Sequence, residues 1–243
     1  MVLAAGLGTR LRPLTDRVPK PLVEVGGRSM IEYPLRMLAA AGVEEVVVNV
    51  HHLADQVRAA LGDGSRYGLR ILYSPENPIL DTGGAIARAR PLLGEEPFVL
   101  ANCDTLLDLD LGSVWRLHCE RSALATLVVR ADADAGRYGA LELDASARVR
   151  RFLGRPSDVE GVLVQRMFCG VHVISPEVFA RLPATEVFSI TRDVYLPLVE
   201  AGEPVYGFDH AGYWRDLGTL QSVAKAHEDL ISGAFAPGYG GTY

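Results

Sequence analysis

Three features of this sequence predict an α/β fold built on a mixed, mainly parallel central sheet flanked by helices. Short β-branched or apolar runs alternate with helical stretches from Val2 to about Leu111, the signature of strands joined by crossover helices. The chain opens on a bare apolar run that breaks at Gly6 into a loop rich in glycine and arginine, "VLAAGLGTRLRPLTDRVPKPL". At 243 residues, with 49 % hydrophobic and 22 % charged, it is long enough to bury a large core without disulfide or metal staples.

The first strand is "VLAA" (2–5), bounded by Gly6. A helical pattern follows near 30–41, where Ile31, Leu35 and Leu38 share one face at spacings of four and three. "EVVVNV" (45–50) is the next strand, then a helix near 54–61, the strand "RILYS" (70–74), a helix near 84–93 and the strand "FVLAN" (98–102). Right-handed crossovers put the C-terminal ends of these strands on one edge, where ligands of such sheets bind. After residue 120 the rhythm changes to longer strands with polar turns: "LATLVVRA" (124–131), "YGALELD" (138–144), "RVRRFLG" (148–154) and "MFCGVHVIS" (167–175). A helix carrying "ITRDVYLPLVEAG" and another near 218–232 close the pattern, and the tail 233–243 is expected to fray. The expectation is one domain over 1–232, with a nucleotide-binding half at about 1–111 and an acceptor-binding, β-rich half at about 112–232.

Composition excludes several classes. A formal charge of -6 argues against a nucleic-acid surface, which needs a net basic face. The apolar start is too short for a signal peptide or a membrane span. Cys103, Cys119 and Cys169 are odd in number and widely spaced, so a reducing cytoplasm is expected rather than a disulfide framework or zinc site. His51, His52, His118, His172, His210 and His227 show no metal-ligand spacing, and packing or surface roles are expected of them.

The opening glycines run Gly6-x-Gly8-x-x-Leu11, without the third glycine of the dinucleotide fingerprint or the Gly-Lys-Ser/Thr ending of a P-loop. A nicotinamide-dependent dehydrogenase is therefore disfavoured. What remains is a turn whose backbone N–H groups face an anion, with Thr9, Arg10 and Arg12 as further donors, or else a solvated turn with surface arginines. Further on, "LDTGGAI" sets Gly83 and Gly84 at a helix start, where absent side chains let a flat base or ribose lie against outward N–H groups. A plain N-cap by Asp81 or Thr82 is the competing reading. Asp104 follows "FVLAN", at the ligand-binding edge of the sheet.

Taken together, "LAAGLGTRLRPLT" and "PKPLVEVGGRSMIEYPL" closely resemble the signature of the sugar-1-phosphate nucleotidyltransferases. Further blocks match in the same order: "LGDGSRYGLRILYSPE", "ILDTGGAI", "FVLANCDTLLD", "RYGALELD" and "GYWRDLGTLQSVAKAHEDL". The resemblance covers nearly the whole chain and implies a Rossmann-like (GT-A-type) sheet with a small acceptor-binding lobe. It also implies a reaction: a sugar 1-phosphate oxygen attacks the α-phosphorus of a nucleoside triphosphate in line, giving a nucleoside-diphosphate sugar and pyrophosphate. The nucleophile is already an anion, so the enzyme must chiefly bring two repelling anions together and absorb charge moving to the leaving group.

On this resemblance Arg10 grips the β- and γ-phosphates and Lys20 meets the α-phosphate, while Leu3, Ala4, Ala5, Gly6, Gly8, Thr9, Gly83 and Gly84 line the nucleotide. Asp104, the third catalytic candidate, and Asp216 would hold Mg²⁺, which takes one or two carboxylates and completes its shell with water and phosphate oxygens. Tyr138, Gly139, Cys169 and Gly170 match positions lining the hexose pocket. Where many relatives carry Glu-Lys-Pro this chain has Gly154, Arg155 and Pro156, so Arg155 is the candidate for the sugar phosphate and no acid stands at 154. The closing blocks look most similar to mannose-1-phosphate guanylyltransferases, whereas "TGGAI" also looks like N-acetylmuramate-1-phosphate uridylyltransferases. GTP and UTP both stay open, with the lean to GTP. Either would serve cell-envelope polysaccharide biosynthesis, and a homo-oligomer is compatible with the family. With no hexapeptide repeat in the sequence, an added left-handed β-helix is not expected. A catalytically silent sugar-nucleotide sensor is the alternative from another class, against which the retained Arg10, Lys20, Asp104 and Asp216 speak.

Overall fold

The computed structural model describes residues 1–132, 135, 140–156 and 159–238. Tyr138 and Gly139 lie outside the described residues. In chain order the elements begin with β1 (Val2–Leu3), the ribbon β2 (Glu24–Val25) and β3 (Arg28–Ser29), α1 (Glu32–Ala40), β4 (Glu45–Val50), α2 (Ala54–Leu61) and β5 (Arg70–Pro75). They continue with α3 (Asp81–Leu93), β6 (Phe98–Asn102), β7 (Thr105–Leu107), α4 (Leu111–Glu120), β8 (Ala125–Arg130), β9 (Ala140–Leu143), β10 (Val149–Phe152) and β11 (Val164–Ile174). The last are α5 (Leu196–Glu200), β12 (Val205–Asp209), β13 (Trp214–Asp216) and α6 (Leu220–Ile231). The result is the mixed α/β protein that the alternation predicts.

Two compact units form, each from separated segments: one from 1–79, 101–111 and 212–243, the other from 80–100 and 112–211. In the first, β1 pairs in parallel with β4 and with the end of β6, and β4 pairs in parallel with β5. Parallel strands covered on both faces read as unbroken apolar runs, and every residue of β4 except Glu45 is buried. Asn49 is the polar exception. Its Oδ1 accepts the Ala4 N–H at 2.7 Å and its Nδ2 donates to Glu76 Oε1 at 2.6 Å. This explains why β1 ends at Leu3 rather than Ala5: the Ala4 amide leaves the ladder for a side chain. Ile31, Leu35 and Leu38 are all buried, as their shared face requires, and the Tyr33 hydroxyl beside them donates to the Val25 carbonyl at 2.6 Å.

The second unit is β-rich. β11 pairs antiparallel with β8 and β9, β9 antiparallel with β10, and β8 in parallel with β12. The helix expected over "ITRDVYLPLVEAG" divides into a π-helical turn at Ile190–Tyr195 and α5. Pro197 has no N–H to offer a continuous helix, so it falls in the first turn of a new one. Of the histidines buried here, His118 and His172 lie deepest. The Ser175 hydroxyl donates to the Ala123 carbonyl at 2.6 Å, so it must accept from His118 Nε2 at 2.9 Å, which leaves Nδ1 to accept from Thr126 at 3.0 Å. His172 Nδ1 lies 2.6 Å from the Tyr195 hydroxyl, and its Nε2 has no hydrogen-bond partner among the described residues.

Burial pushes both rings below the ordinary 6.5, His118 to about 4 and His172 to about 3. Their contribution is complete above 6.5, where folded and unfolded rings are both neutral. It is lost as the pH falls, because the unfolded chain takes up protons that the folded one refuses. Urea unfolding at pH 5 should therefore show a stability lower than at pH 7 by on the order of 2 kcal/mol for each ring. A flat profile from pH 7 to 5 would refute this.

Candidate active site

The candidate site is built in the first unit, from the loop after β1, the turn between β6 and β7 and the end of β13. Gly8 has a φ of 64° and starts a single 3-10 turn at Thr9–Leu11. A side chain there would press on Thr15 and Lys20, at 2.9 and 3.0 Å. Only glycine combines that left-handed backbone with that close approach. The loop is fixed on itself, since the Gly8 carbonyl accepts both the Leu11 N–H and the buried Thr15 hydroxyl at 2.8 Å. Leu3 is half-buried and Ala4 and Ala5 are buried, while Gly6, Thr9 and Arg10 are exposed. Arg12 pairs with Asp16 at 3.1 Å on the surface.

The two acids are brought together by a ladder between segments more than a hundred residues apart. β13 runs antiparallel to β7 with Asp216 opposite Thr105, and the Leu217 N–H donates to the Asp104 carbonyl at 2.8 Å. Lys20 Nζ forms an ion pair with Asp104 Oδ2, both side chains being largely covered. Burial works to lower the Lys20 ammonium, but the charge and hydrogen bond of Asp104, with Cys103 and Asp216, together outweigh it, so the group is held above its ordinary value. The Asp216 carboxyl is raised, first by burial and then by the charge of Asp104, against the pull of the Gly218 N–H, Arg10 and Lys20. Asp216 thus carries a charge that Asp104 opposes, and the hard oxygens of the two suit a divalent cation such as Mg²⁺. Cys103, the residue before Asp104, is buried, which pushes its thiol up to about 12, so it stays neutral and is no nucleophile.

Arg10 lies against the Asp216–Gly218 turn. A Cβ on Gly218 would collide with the guanidinium and stand 2.8 Å from Asp216 Oδ2, which accepts the Gly218 N–H at 3.0 Å. The structure thus gathers Arg10, Lys20, Asp104 and Asp216. Sequence reasoning did not single out Asn49 and Glu76, which hold the exit of β1. A lone asparagine inside "EVVVNV" was the available signal.

The other candidates belong to the second unit. Gly83 and Gly84 are buried in α3, and their N–H groups donate to the Phe188 carbonyl at 2.9 and 3.3 Å. A Cβ on Gly83 would strike the Phe188 ring, and one on Gly84 the Glu186 carbonyl. The expectation of outward N–H groups therefore differs from what is found: the chain itself covers this helix start, and the absence of side chains is explained by that packing. Thr82 accepts the Ile190 N–H at 3.0 Å rather than capping α3. Arg155 is exposed and pairs with Glu200 at 2.8 Å. Cys169 and Gly170 are buried within β11, next to an irregularity in its register with β8.

A glycine loop leaving a parallel strand is thus joined by two cations and two converging carboxylates. The chain belongs to the nucleotidyl transferase family, whose sequence pattern matches residues 1–233. It is 30% identical over 96% of its length to a UTP–glucose-1-phosphate uridylyltransferase of Synechocystis and 33% identical over 96% to a mannose-1-phosphate guanylyltransferase of Mycobacterium tuberculosis. It spans 63% and 64% of those two proteins. It is 38% identical to an N-acetylmuramate alpha-1-phosphate uridylyltransferase of Neisseria meningitidis, over 97% of this chain and 98% of that one. A Bacillus anthracis crystal structure containing sucrose shares the fold, with a TM-score of 0.83 at 19% identity over 98% of this chain and 96% of that one. Among the described residues no helix is long and apolar enough to cross a membrane.

Proposed function

We propose that this chain joins a nucleoside triphosphate to a sugar 1-phosphate and releases pyrophosphate. The observation that carries the reading is the convergence of Arg10 and Lys20 with Asp104 and Asp216 beside the Gly6–Thr9 loop. The sugar phosphate oxygen forms a bond to the α-phosphorus as the bond to the bridging oxygen breaks, and the electron pair leaves on pyrophosphate. Lys20 holds the α-phosphate and Arg10 the departing β- and γ-phosphates, while the loop amides from Gly6 to Thr9 cradle the triphosphate. Asp104 and Asp216 would hold Mg²⁺, which supplies charge neutralisation for phosphates brought together. Lys20 is paired with Asp104, and an ammonium has donors enough to meet the α-phosphate as well. A cytoplasmic location accords with three free cysteines.

The guanylyltransferase relative supports GTP with a hexose 1-phosphate. The 38% identity to the muramate enzyme over nearly all of both chains supports a second reading, UTP with N-acetylmuramate 1-phosphate. Pyrophosphate release measured with Mg²⁺, for four nucleoside triphosphates against hexose, heptose and N-acetylmuramate 1-phosphates, separates them. Turnover should concentrate in one row and one column. No release from any pair, together with tight binding of a nucleoside-diphosphate sugar, would favour a sensor.

A further inference from the structure

Neighbouring residues of a strand point to opposite faces, so while Asp216 turns to Asp104, Arg215 turns away from it to α6. There Arg215 Nε and Nη2 donate to one oxygen of Asp229, Oδ2, at 2.9 and 2.7 Å. The Tyr213 hydroxyl donates to that same oxygen at 2.7 Å, and Lys225 Nζ lies 3.4 Å from Oδ1. Asp229 is 6% exposed, and its backbone carbonyl accepts the N–H of Phe235, whose ring stacks on Tyr213 at 4.3 Å. An acid in the last turn of a helix opposes the helix dipole, so α6 by itself gives no reason for a buried carboxylate there. The strand it grips gives one. β13 is three residues long, and a slip of one residue would turn Asp216 to the wrong face.

We propose that Asp229 is a positioning residue: acting through Arg215, it fixes the register of Trp214–Asp216 and so sets the affinity of the Asp104–Asp216 pair for a divalent cation. This rests on the reading of those two acids as metal ligands. Partners of this outer kind commonly alter metal affinity by about ten- to a hundredfold.

The test is Mn²⁺ titrated into the full chain without nucleotide and followed by the electron paramagnetic resonance of the free ion, for the unaltered protein and Asp229→Asn, Arg215→Met, Arg215→Lys and Asp216→Asn. Asp229→Asn and Arg215→Met should bind Mn²⁺ about tenfold more weakly, with faster hydrogen exchange at the Leu217 amide and an unchanged far-ultraviolet circular dichroism spectrum. Arg215→Lys should restore part of the affinity. The proposal is overturned by a folded Asp229→Asn protein within twofold of the unaltered one, by Mn²⁺ binding that survives Asp216→Asn, or by none in the unaltered chain. Should Asp229→Asn not fold, Arg215→Met decides by the same criterion. Mn²⁺ binding that behaves as expected in a chain that makes no nucleoside-diphosphate sugar would sink the proposed reaction and leave the positioning role of Asp229 standing.

Discussion

Asp104→Asn is expected to lower metal-dependent pyrophosphate release by about a thousandfold or more, on the order of 4 kcal/mol of transition-state stabilisation. The substitution keeps the shape of the side chain and replaces an anionic oxygen by an amide, which is a poor ligand for Mg²⁺. It also leaves Lys20 without its ion-pair partner, although the amide oxygen still accepts a hydrogen bond from Nζ. The pair is largely covered, with 13% and 16% of the two side chains exposed. Reducing an ion pair to a single hydrogen bond in such a place costs about 1–3 kcal/mol of stability, and at about 2–4 °C per kcal/mol the melting temperature should fall by several degrees with a cooperative transition retained. Rate measured over a Mg²⁺ series, beside a thermal melt, separates the two effects. A near-normal rate would move the cation away from Asp104, whereas a chain that does not melt cooperatively would make Asp104 a residue of the fold first.

Much of this site was legible because its parts sit in continuous stretches. The loop from Gly6 to Lys20 and the strand leading to Asp104 each carry their own pattern, and β4, α2 and β6 fall at the predicted positions. What could not be read depends on pairing across distance. Neither β7 nor β13 is long enough to show a period, and their ladder joins residues 105–107 to 214–216. The glycines of "LDTGGAI" look like a place for a ligand, and only the position of Phe188 and Glu186, far along the chain, shows that protein already fills the space. The tail expected to fray from 233 holds at Phe235, buried through a contact with Tyr213 that no local pattern announces. Asp229 is illegible for the same reason: on α6 it reads as one more solvated acid, and its meaning comes from Arg215.

Arg10→Met should lower turnover by about a hundred- to a thousandfold and leave stability within about 0.5 kcal/mol, since the side chain is exposed and substitutions at such positions seldom matter to folding. The division between kinetic constants tests its role. A group that stabilises charge gathering on departing pyrophosphate lowers kcat, whereas one that only collects the nucleoside triphosphate raises KM with kcat unchanged. Arg10→Lys should recover only part of the loss, because an ammonium cannot offer the two parallel donors of a guanidinium. Gly218→Ala probes the same contact from the other side. Its methyl group meets the flexible end of Arg10 and also Asp216 Oδ2, and both side chains can shift at little cost to folding, so the guanidinium is displaced while its charge remains and the carboxylate moves with it. The expected order of rates is unaltered protein, then Gly218→Ala lower by about tenfold, then Arg10→Met, all three unfolding alike, and a Gly218→Ala enzyme as active as the unaltered one would show that Arg10 does its work from another position.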